Sequence, residues 1–294
     1  MKNRAINIVC ISFNTADETE LFIGRAKKCS LIKHVFLVDN HSNEFNLAKI
    51  RNQKCDFVTI FENDRNYGFD YANNVGLRYV CETLREEWVC IANTDVLFDD
   101  EVINQLLDKM TNNTNLGVIA PSMINASDKS MVRSPRDFPT YKSLFRDNFY
   151  LLRKRFLKKK ADNYIKVIQD DVEIVDAVSG GFMLFRAEAL IECGYFDENI
   201  FMYFDEDALC WRLKKAGYLT GYYNVPTVIH DHDFSKKRYV DTTIISSRSA
   251  RYFMKSYLKP FALKYYFYVV FNIYHIVEMK TFIFLKKVLQ RKKK

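Results

Sequence analysis

The sequence predicts an α/β fold: a mainly parallel central sheet covered by helices on both faces. Three observations carry that prediction. Short, nearly uncharged apolar runs recur through the first third of the chain, beginning near Ile6, His34, Phe57 and Trp88. Between them lie stretches with helical periodicity, and polar residues follow each run. Runs without alternation read as strands buried on both faces, and helical stretches between them read as the crossovers that parallel strands require. With 294 residues, 48% hydrophobic and 27% charged, the chain holds one large α/β domain with appendages or two small ones.

The elements follow in order. A first strand runs from Ile6 to Phe13, then an Asn14-Thr15-Ala16-Asp17 turn, with Asp17 and Glu20 as a capping box for a helix to about Lys28. The second strand, His34 to Val38, ends at Asp39-Asn40-His41-Ser42, and a short helix follows it. Phe57 to Phe61 is the third strand and Asn63 to Gly68 a loop. Tyr71 to Leu84 is helical, with Ala72, Val75, Gly76, Tyr79 and Val80 on one face. The fourth strand starts at Trp88 and gives way to Asn93-Thr94-Asp95, ahead of a helix capped by Asp99. Leu116 to Ala120 is a strand broken by Pro121, Ser122 to Pro139 is irregular, and Tyr141 to Lys160 reads as a basic, aromatic helix pair. Val172 to Val178 is extended, Ser179-Gly180-Gly181 intervenes, Phe182 to Phe185 is a strand, and Ala187 to Cys193 is a short helix. The acids Asp205-Glu206-Asp207 open a helix marked by Leu209, Leu213 and Ala216, where carboxylates are favoured. Leu219 to Tyr223 and Thr227 to His230 are two short strands, and the second leads into His230-Asp231-His232-Asp233.

Seven scattered cysteines without a CxxC pair indicate neither a disulfide framework nor a zinc knuckle. The first apolar run is short, contains Asn7 and Ser12, and has no small-residue cleavage site, so a cytoplasmic protein is expected. The net charge of +8 is uneven: Arg251 to Lys294 carries eleven Lys/Arg against the single acid Glu278. Arg133 to Lys166 carries eleven against three, so the remaining body is acidic. Such basic blocks with aromatics meet nucleic acid or an anionic membrane surface.

In an open α/β sheet ligands collect beyond the carboxyl ends of strands, which places Asp95 where a phosphate-bearing ligand and its metal would sit. The competing use of Asn93 and Asp95 is as turn formers entering the next helix. The quoted stations then continue as a series. They are Ser12-Phe13-Asn14, Val38-Asp39-Asn40-His41-Ser42, Asn66-Tyr67-Gly68-Phe69 with Ala72-Asn73-Asn74-Val75-Gly76-Leu77, and Asn93-Thr94-Asp95. After these come Ser179-Gly180-Gly181-Phe182-Met183-Leu184-Phe185-Arg186, and Phe201-Met202-Tyr203-Phe204-Asp205-Glu206 running into Leu209-Cys210-Trp211-Arg212. In order and spacing this series resembles the inverting glycosyltransferases of family 2, of GT-A fold, and within them the bacterial rhamnosyltransferase-like branch of polysaccharide synthesis. It covers Ile6 to about Ser235.

The resemblance implies a domain over residues 1–240, with a nucleotide-binding half to 121 and an acceptor half after it; beyond it, where the resemblance fades, residues 241–294 read as a basic aromatic helical tail. It assigns Phe13, Asn14, Asp39, Asn66, Gly68, Asn93, Gly180 and Gly181 to the nucleotide-sugar donor. Asp39 accepts from the pyrimidine imide, with an Asx turn as its alternative use, and Gly180-Gly181 let backbone approach the donor sugar. Asp95 and His230 are the implied ligands of Mg²⁺ or Mn²⁺ at the diphosphate; Asn-Thr-Asp retains one carboxylate of the family's DxD-type motif. Counted back from Leu209, Glu206 takes the place of the general base, with Asp205 and Asp207 in reserve, and Ala208 departs from the branch's usual acid. A sugar-phosphate nucleotidyltransferase would need a glycine-rich basic loop after the first strand, which is absent here. A transferase-fold adaptor without activity is the non-enzymatic alternative. From Pro260 to Leu289 the tail is aromatic and aliphatic, but Lys264, His275, Glu278 and Lys280 leave no clean apolar run of about 18 residues. It is therefore expected to lie on the inner face of the cell membrane, near a lipid-linked saccharide acceptor and without nucleic acid; packing on a second subunit is the alternative.

Overall fold

The computed structural model describes residues 4–132, 135–149, 167–231 and 239–291, and the chain divides into two compact units. Unit one comprises Met1–Phe138, Tyr164–Asn199 and Asp205–Asp233; unit two comprises Pro139–Asn163, Ile200–Phe204 and Phe234–Lys294.

Unit one is built on a single sheet. Strands β1 (Ile6–Ser12), β2 (Ile32–Asp39), β3 (Val58–Glu62) and β4 (Trp88–Ala92) lie in the order β3-β2-β1-β4, all parallel. Beyond β4 the sheet becomes mixed. The short β5 (Val96–Leu97) follows β4, and then come β6 (Leu116–Asn125), β7 (Val167–Gln169), β8 (Val172–Val175), β9 (Phe182–Arg186) and β10 (Leu219–His230). They continue the sheet as β9-β6-β10-β8-β7, and only β6 and β10 pair in parallel. The expectation of a mainly parallel sheet holds for the first half alone. A continuous apolar strand such as Phe182-Met183-Leu184-Phe185 signals burial on both faces, not direction.

Helices α1 (Ala16–Ala26), α2 (Glu44–Arg51) and α4 (Asp100–Asn112) bury Phe22, Ile50 and Leu106 on one face of the sheet. On the other face α3 (Phe69–Arg78), α6 (Ala187–Cys193) and α7 (Asp205–Lys215) bury Leu77, Leu190 and Leu209; α5 belongs to unit two. Asp99 caps α4 by accepting from Val102 N–H at 3.0 Å, as its position before the helix predicts. The capping box expected at α1 does not form: Thr15 is the cap residue, Asp17 pairs with Lys49, and Asn46 Oδ1 accepts from Ala16 N–H at 3.1 Å. A neighbouring helix thus supplies the missing acceptor.

Two strand boundaries also need correction. Pro121 does not end β6, which runs on to Asn125, and the two strands expected after Leu219 are one, β10. Both follow from one irregularity. Partners jump from Tyr223↔Pro121 to Thr227↔Ser122, so β10 bulges opposite the proline, where a missing N–H costs little.

Unit two contains α5 (Tyr141–Asp147), α8 (Tyr239–Phe253), a π turn over Met254–Leu258, and the long α9 (Ala262–Arg291). Of the helix pair expected from Tyr141 to Lys160, α5 is the observed part; residues 150–166 lie outside the described residues. The ring of Phe145 stacks on Phe267 at 5.8 Å and meets Phe271 edge-on, while buried Asn272 donates to Asn148 Oδ1 at 3.0 Å. Within α9, Ala262–Phe284 is 23 residues of mean hydropathy 1.2, long and apolar enough by length and composition to cross a bilayer. The expectation that the tail lacks such a run is corrected accordingly.

Candidate active site

The carboxyl ends of β1 and β2 form one corner of the site. Ser12 pairs with Asp39 in the parallel register, which sets the two following loops side by side. Asn14 holds a left-handed backbone, φ 60°, and its N–H donates to Ser42 Oγ while its Oδ1 accepts from Asn43 N–H. Phe13, between these anchored residues, is exposed. Asp39 is buried; Oδ2 accepts from Ser42 N–H at 2.9 Å, and Oδ1 has no hydrogen-bond partner. Both uses of this carboxylate weighed from the sequence thus fit at once: one oxygen makes the Asx turn and the other is left over. Asn40 ties down the next loop, donating to Asn66 Oδ1 and Gly68 C=O and accepting from Asn63 Nδ2 and Tyr67 N–H. Gly68 at φ 94° is a position that only glycine holds without strain.

At the end of β4 the turn Asn93-Thr94-Asp95 leads into β5, which pairs antiparallel with the end of β10. That pairing brings together two residues far apart in sequence: His230 Nε2 lies 3.1 Å from Asp95 Oδ1, and Asp231 N–H donates to Asp95 C=O. Arg25 donates to Thr94 C=O, with Asp231 and Asp95 partly offsetting the cost of burying its charge. Among the described residues no three His, Cys, Asp or Glu converge into a metal cage. His232 and Asp233 lie outside the described residues. One carboxylate and one imidazole at a strand rim are a donor set that leaves most positions of a hard divalent ion for ligand oxygens, which fits a cation carried in by a diphosphate.

The third corner is the first turn of α7. Glu206 Oε1 accepts from Gly180 N–H at 2.8 Å and Oε2 from Arg136 Nη2 at 3.0 Å. Arg136 also donates from Nε to Asp207 Oδ1 and from Nη1 to Val178 C=O, and its backbone pairs with Ala177. Burial opposes its charge, and Asp207 and Glu206 more than offset that, holding it protonated. Asp205 is buried, and burial first and the Glu206 charge second push its carboxyl well above the usual range.

A Cβ on Gly180 would come 2.9 Å from Glu206 Oε1, and one on Gly181 would come 2.6 Å from Met123 Cε. A side chain at either position would therefore meet Glu206 or Met123. Gly181 C=O accepts from Asn93 N–H at 2.9 Å, so two adjacent residues join the Asp95 turn to Glu206. Sequence reasoning missed Arg136, in a segment without periodicity, and Asp70, which reads as an ordinary first-turn acid of α3 but is fully buried.

A family model described as glycosyl transferase family 2 matches residues 8–194. The chain is 25% identical over 236 residues to the low-salt glycan biosynthesis hexosyltransferase of Haloferax volcanii, covering 80% of this chain and 69% of that one. It is 28% identical over 242 residues to the N-acetylglucosaminyl-diphospho-decaprenol L-rhamnosyltransferase of Mycobacterium tuberculosis, covering 79% and 77%. Among solved structures, a mannosyltransferase from Pyrobaculum calidifontis in complex with GDP-Man and Mn²⁺ superposes with TM-score 0.57 at 15% identity, covering 87% of this chain and 64% of that one. GalNAc-T7 with UDP, GalNAc and Mn²⁺ gives TM-score 0.57 at 13% identity, covering 79% and 44%. At these identities the likeness shows the fold, GT-A-like with a mixed central sheet, and the chain spans less than two thirds of either structure.

Proposed function

The chain belongs to glycosyl transferase family 2, and on that premise we propose that it is an inverting hexosyltransferase. It moves a sugar from a dTDP- or UDP-linked donor, with rhamnose the leading candidate, to a lipid-linked saccharide acceptor in cell-surface polysaccharide synthesis. The names of the two curated relatives, a hexosyltransferase and a rhamnosyltransferase for a diphospho-decaprenol substrate, support that substrate class. The observation that carries the reading is the 180–181 link, which sets a strand-end acid beside a histidine at one end and a hydrogen-bonded carboxylate at the other.

In this reading the unpartnered Oδ1 of Asp39 accepts from the imide N–H of a pyrimidine, and exposed Phe13 lies against the base. Asp95 and His230 hold Mg²⁺ or Mn²⁺, which when bound neutralises charge on the diphosphate. Glu206 takes the proton of the acceptor hydroxyl as its oxygen attacks the anomeric carbon; the bond to the diphosphate breaks on the opposite side, its electron pair leaving with the nucleotide. Glu206 accepts from Gly180 N–H and from Arg136 and also meets the Asp205 side chain, and the roughly four lone-pair sites of a carboxylate leave room for that proton. Asp205 and Asp207 are the reserves: the first is buried against Glu206, and the second is bound to Arg136. Incubating the protein with a panel of UDP-, dTDP- and GDP-sugars, with and without prenyl-diphosphate-linked acceptors, tests the proposal. Acceptor-dependent release of nucleotide is expected; no release from any donor overturns it.

A further inference from the structure

The Asn93-Thr94-Asp95 turn is held at each of its residues. Asn93 N–H donates to Gly181 C=O at 2.9 Å, and Asp231 N–H donates to Asp95 C=O at 2.8 Å. These two bonds are backbone to backbone and extend the β4–β9 and β5–β10 pairings by one residue. Between them, Thr94 C=O accepts from Arg25 Nη2 at 3.3 Å, a side chain that reaches across 69 residues from the last turn of α1. An arginine in a last turn ordinarily serves its own helix, whose final carbonyls and negative end attract it. Arg25 serves the turn instead, although its Nε is buried without a partner and burial opposes its charge more than Asp231 and Asp95 favour it.

The oxygen of Thr94 and the N–H of Asp95 belong to one planar peptide, so fixing that oxygen fixes the plane from which the Asp95 side chain leaves the backbone. Thr94 is buried, and a carbonyl there that loses its donor has little solvent to turn to. Asp95 Oδ1 in turn lies 3.1 Å from His230 Nε2, so the direction of this carboxylate decides whether the two side chains converge. A residue that orients a metal ligand without touching the metal typically changes affinity by about 10- to 100-fold. The competing role for a guanidinium beside Asp95 and Asp231 is charge balance alone, and it has the opposite sign. Removing a mere counter-charge draws a divalent cation in more tightly, whereas removing a support of the turn binds it more weakly.

We propose that Arg25 is a positioning residue for the cation site: by donating to Thr94 C=O it fixes the peptide that precedes Asp95, so that Asp95 and His230 present one geometry to a divalent ion. This rests on the assignment of Asp95 and His230 under the proposed function.

Calorimetry of UDP and dTDP binding to the full chain, once in Mn²⁺ and once in EDTA, separates the cation's contribution from that of the base. Arg25→Met, of similar length but without donor or charge, should bind nucleotide about 10- to 100-fold more weakly in Mn²⁺ and as the wild type does in EDTA. Arg25→Lys, which keeps a charged donor, should recover most of the loss. Wild-type or tighter binding by Arg25→Met in Mn²⁺ overturns the proposal, as does an equal loss in EDTA, which would mark a purely structural role. Amide hydrogen exchange on the metal-free protein is the second arm. Val96 and Asp231 N–H, bonded to Asn93 and Asp95 C=O, should exchange about 10-fold faster or more in Arg25→Met and near the wild-type rate in Arg25→Lys. Asn40 N–H, bonded to Ser12 C=O in the other corner, should not change. Unmoved exchange at Val96 and Asp231 overturns the proposal by itself. If Mn²⁺ adds nothing to nucleotide binding by the wild type, the cation of the proposed function fails, and the hold of Arg25 on the turn is judged by exchange.

Discussion

The two halves of the sheet treat their carboxylates in opposite ways. In the parallel half, Asp39 and Asp95 stand at the ends of β2 and β4, held by backbone turns, with one Asp39 oxygen unpartnered. Asp95 faces a histidine, with His230 Nε2 at 3.1 Å from its Oδ1. In the mixed half, Glu206 and Asp207 are clamped by Arg136, which is itself fixed to the strand before Gly180. Asp39 leaves an oxygen for a ligand to complete, whereas Glu206 and Asp207 share a guanidinium supplied by the protein. Substitutions in the parallel half should therefore cost activity without stability, and those around Arg136 should cost both.

Two isosteric substitutions test the activity side of this comparison. Glu206→Gln keeps size and one of the two accepted hydrogen bonds but cannot act as a base, and loss of a general base typically costs about 10²- to 10⁴-fold in rate. Donor binding should survive. Asp95→Asn should lose most turnover, with an unfolding midpoint near that of the wild type, and EDTA should inhibit the wild type and add little to the variant. Unchanged turnover in Asp95→Asn together with full activity in EDTA would return Asp95 to the status of a turn residue. If Glu206→Gln is near normal while Asp205→Asn or Asp207→Asn is not, the base lies one residue to either side.

Arg136→Leu is the complementary change. It leaves Glu206 and Asp207 buried without their cation, and breaking such a pair costs about 3–5 kcal/mol. Urea unfolding at neutral pH should show a lower midpoint at unchanged slope. Stability equal to that of the wild type would mean that solvent, and not Arg136, balances these acids, and the contrast between the halves would disappear.

That contrast also explains what was legible in the sequence. In the parallel half each functional residue follows a strand directly, so a short apolar run with a polar end locates Asp39 and Asp95 without knowledge of the fold. In the mixed half the partners come from distant segments. Arg136 joins Glu206 across 70 residues and Asp207 across 71, through a bridge to Ala177 that no periodicity announces. Gly180 and Gly181 were visible as residues that admit a close approach, but the side chains beside them come from α7 and β6, which lie far away in sequence. Pro121 misled for the same reason: it marks a bulge that exists only once β10 is beside it. Asp70 has the local chemistry of a helix first turn, and only its full burial with neither oxygen hydrogen-bonded makes it unusual.

A milder change in the parallel half sharpens the comparison. Asp39→Asn removes an acceptor facing the base but keeps one oxygen able to make the turn with Ser42 N–H, so folding should be little affected. A lost hydrogen bond to a charged group is worth about 1.5–3 kcal/mol, roughly a 10- to 150-fold rise in KM for a uridine- or thymidine-linked donor, with kcat less affected. An unchanged KM would mean that Asp39 serves only the turn, and the parallel half would lose its clearest case of charge left for a ligand.

The smallest expected effect lies in unit two, and it extends the comparison to apolar surface. One side of α9 is satisfied within its unit through Tyr268, Asn272 and the stack on Phe145. Along the other, Leu263, Tyr266, Val270, Ile273, Tyr274, Val277 and Phe284 follow at helical spacing, each at least half exposed. We propose that this stripe lies on an anionic membrane surface, since the chain from Arg251 onward carries eleven Lys/Arg against one acid. Crossing the bilayer instead would carry Asn272, His275 and Glu278 into hydrocarbon, where polar groups are costly, while lying flat sinks only the stripe. Each basic residue near such a surface contributes about 1 kcal/mol, and salt weakens that contribution. The full chain should therefore sediment with phosphatidylserine-containing vesicles at low salt, release as salt rises, and ignore pure phosphatidylcholine. Val270→Asn with Val277→Asn should weaken that binding and leave unfolding unchanged, because both side chains are exposed. If the wild type ignores anionic vesicles but forms a dimer that the same pair of substitutions dissolves, the stripe is covered by a second copy of the chain and the membrane assignment is wrong.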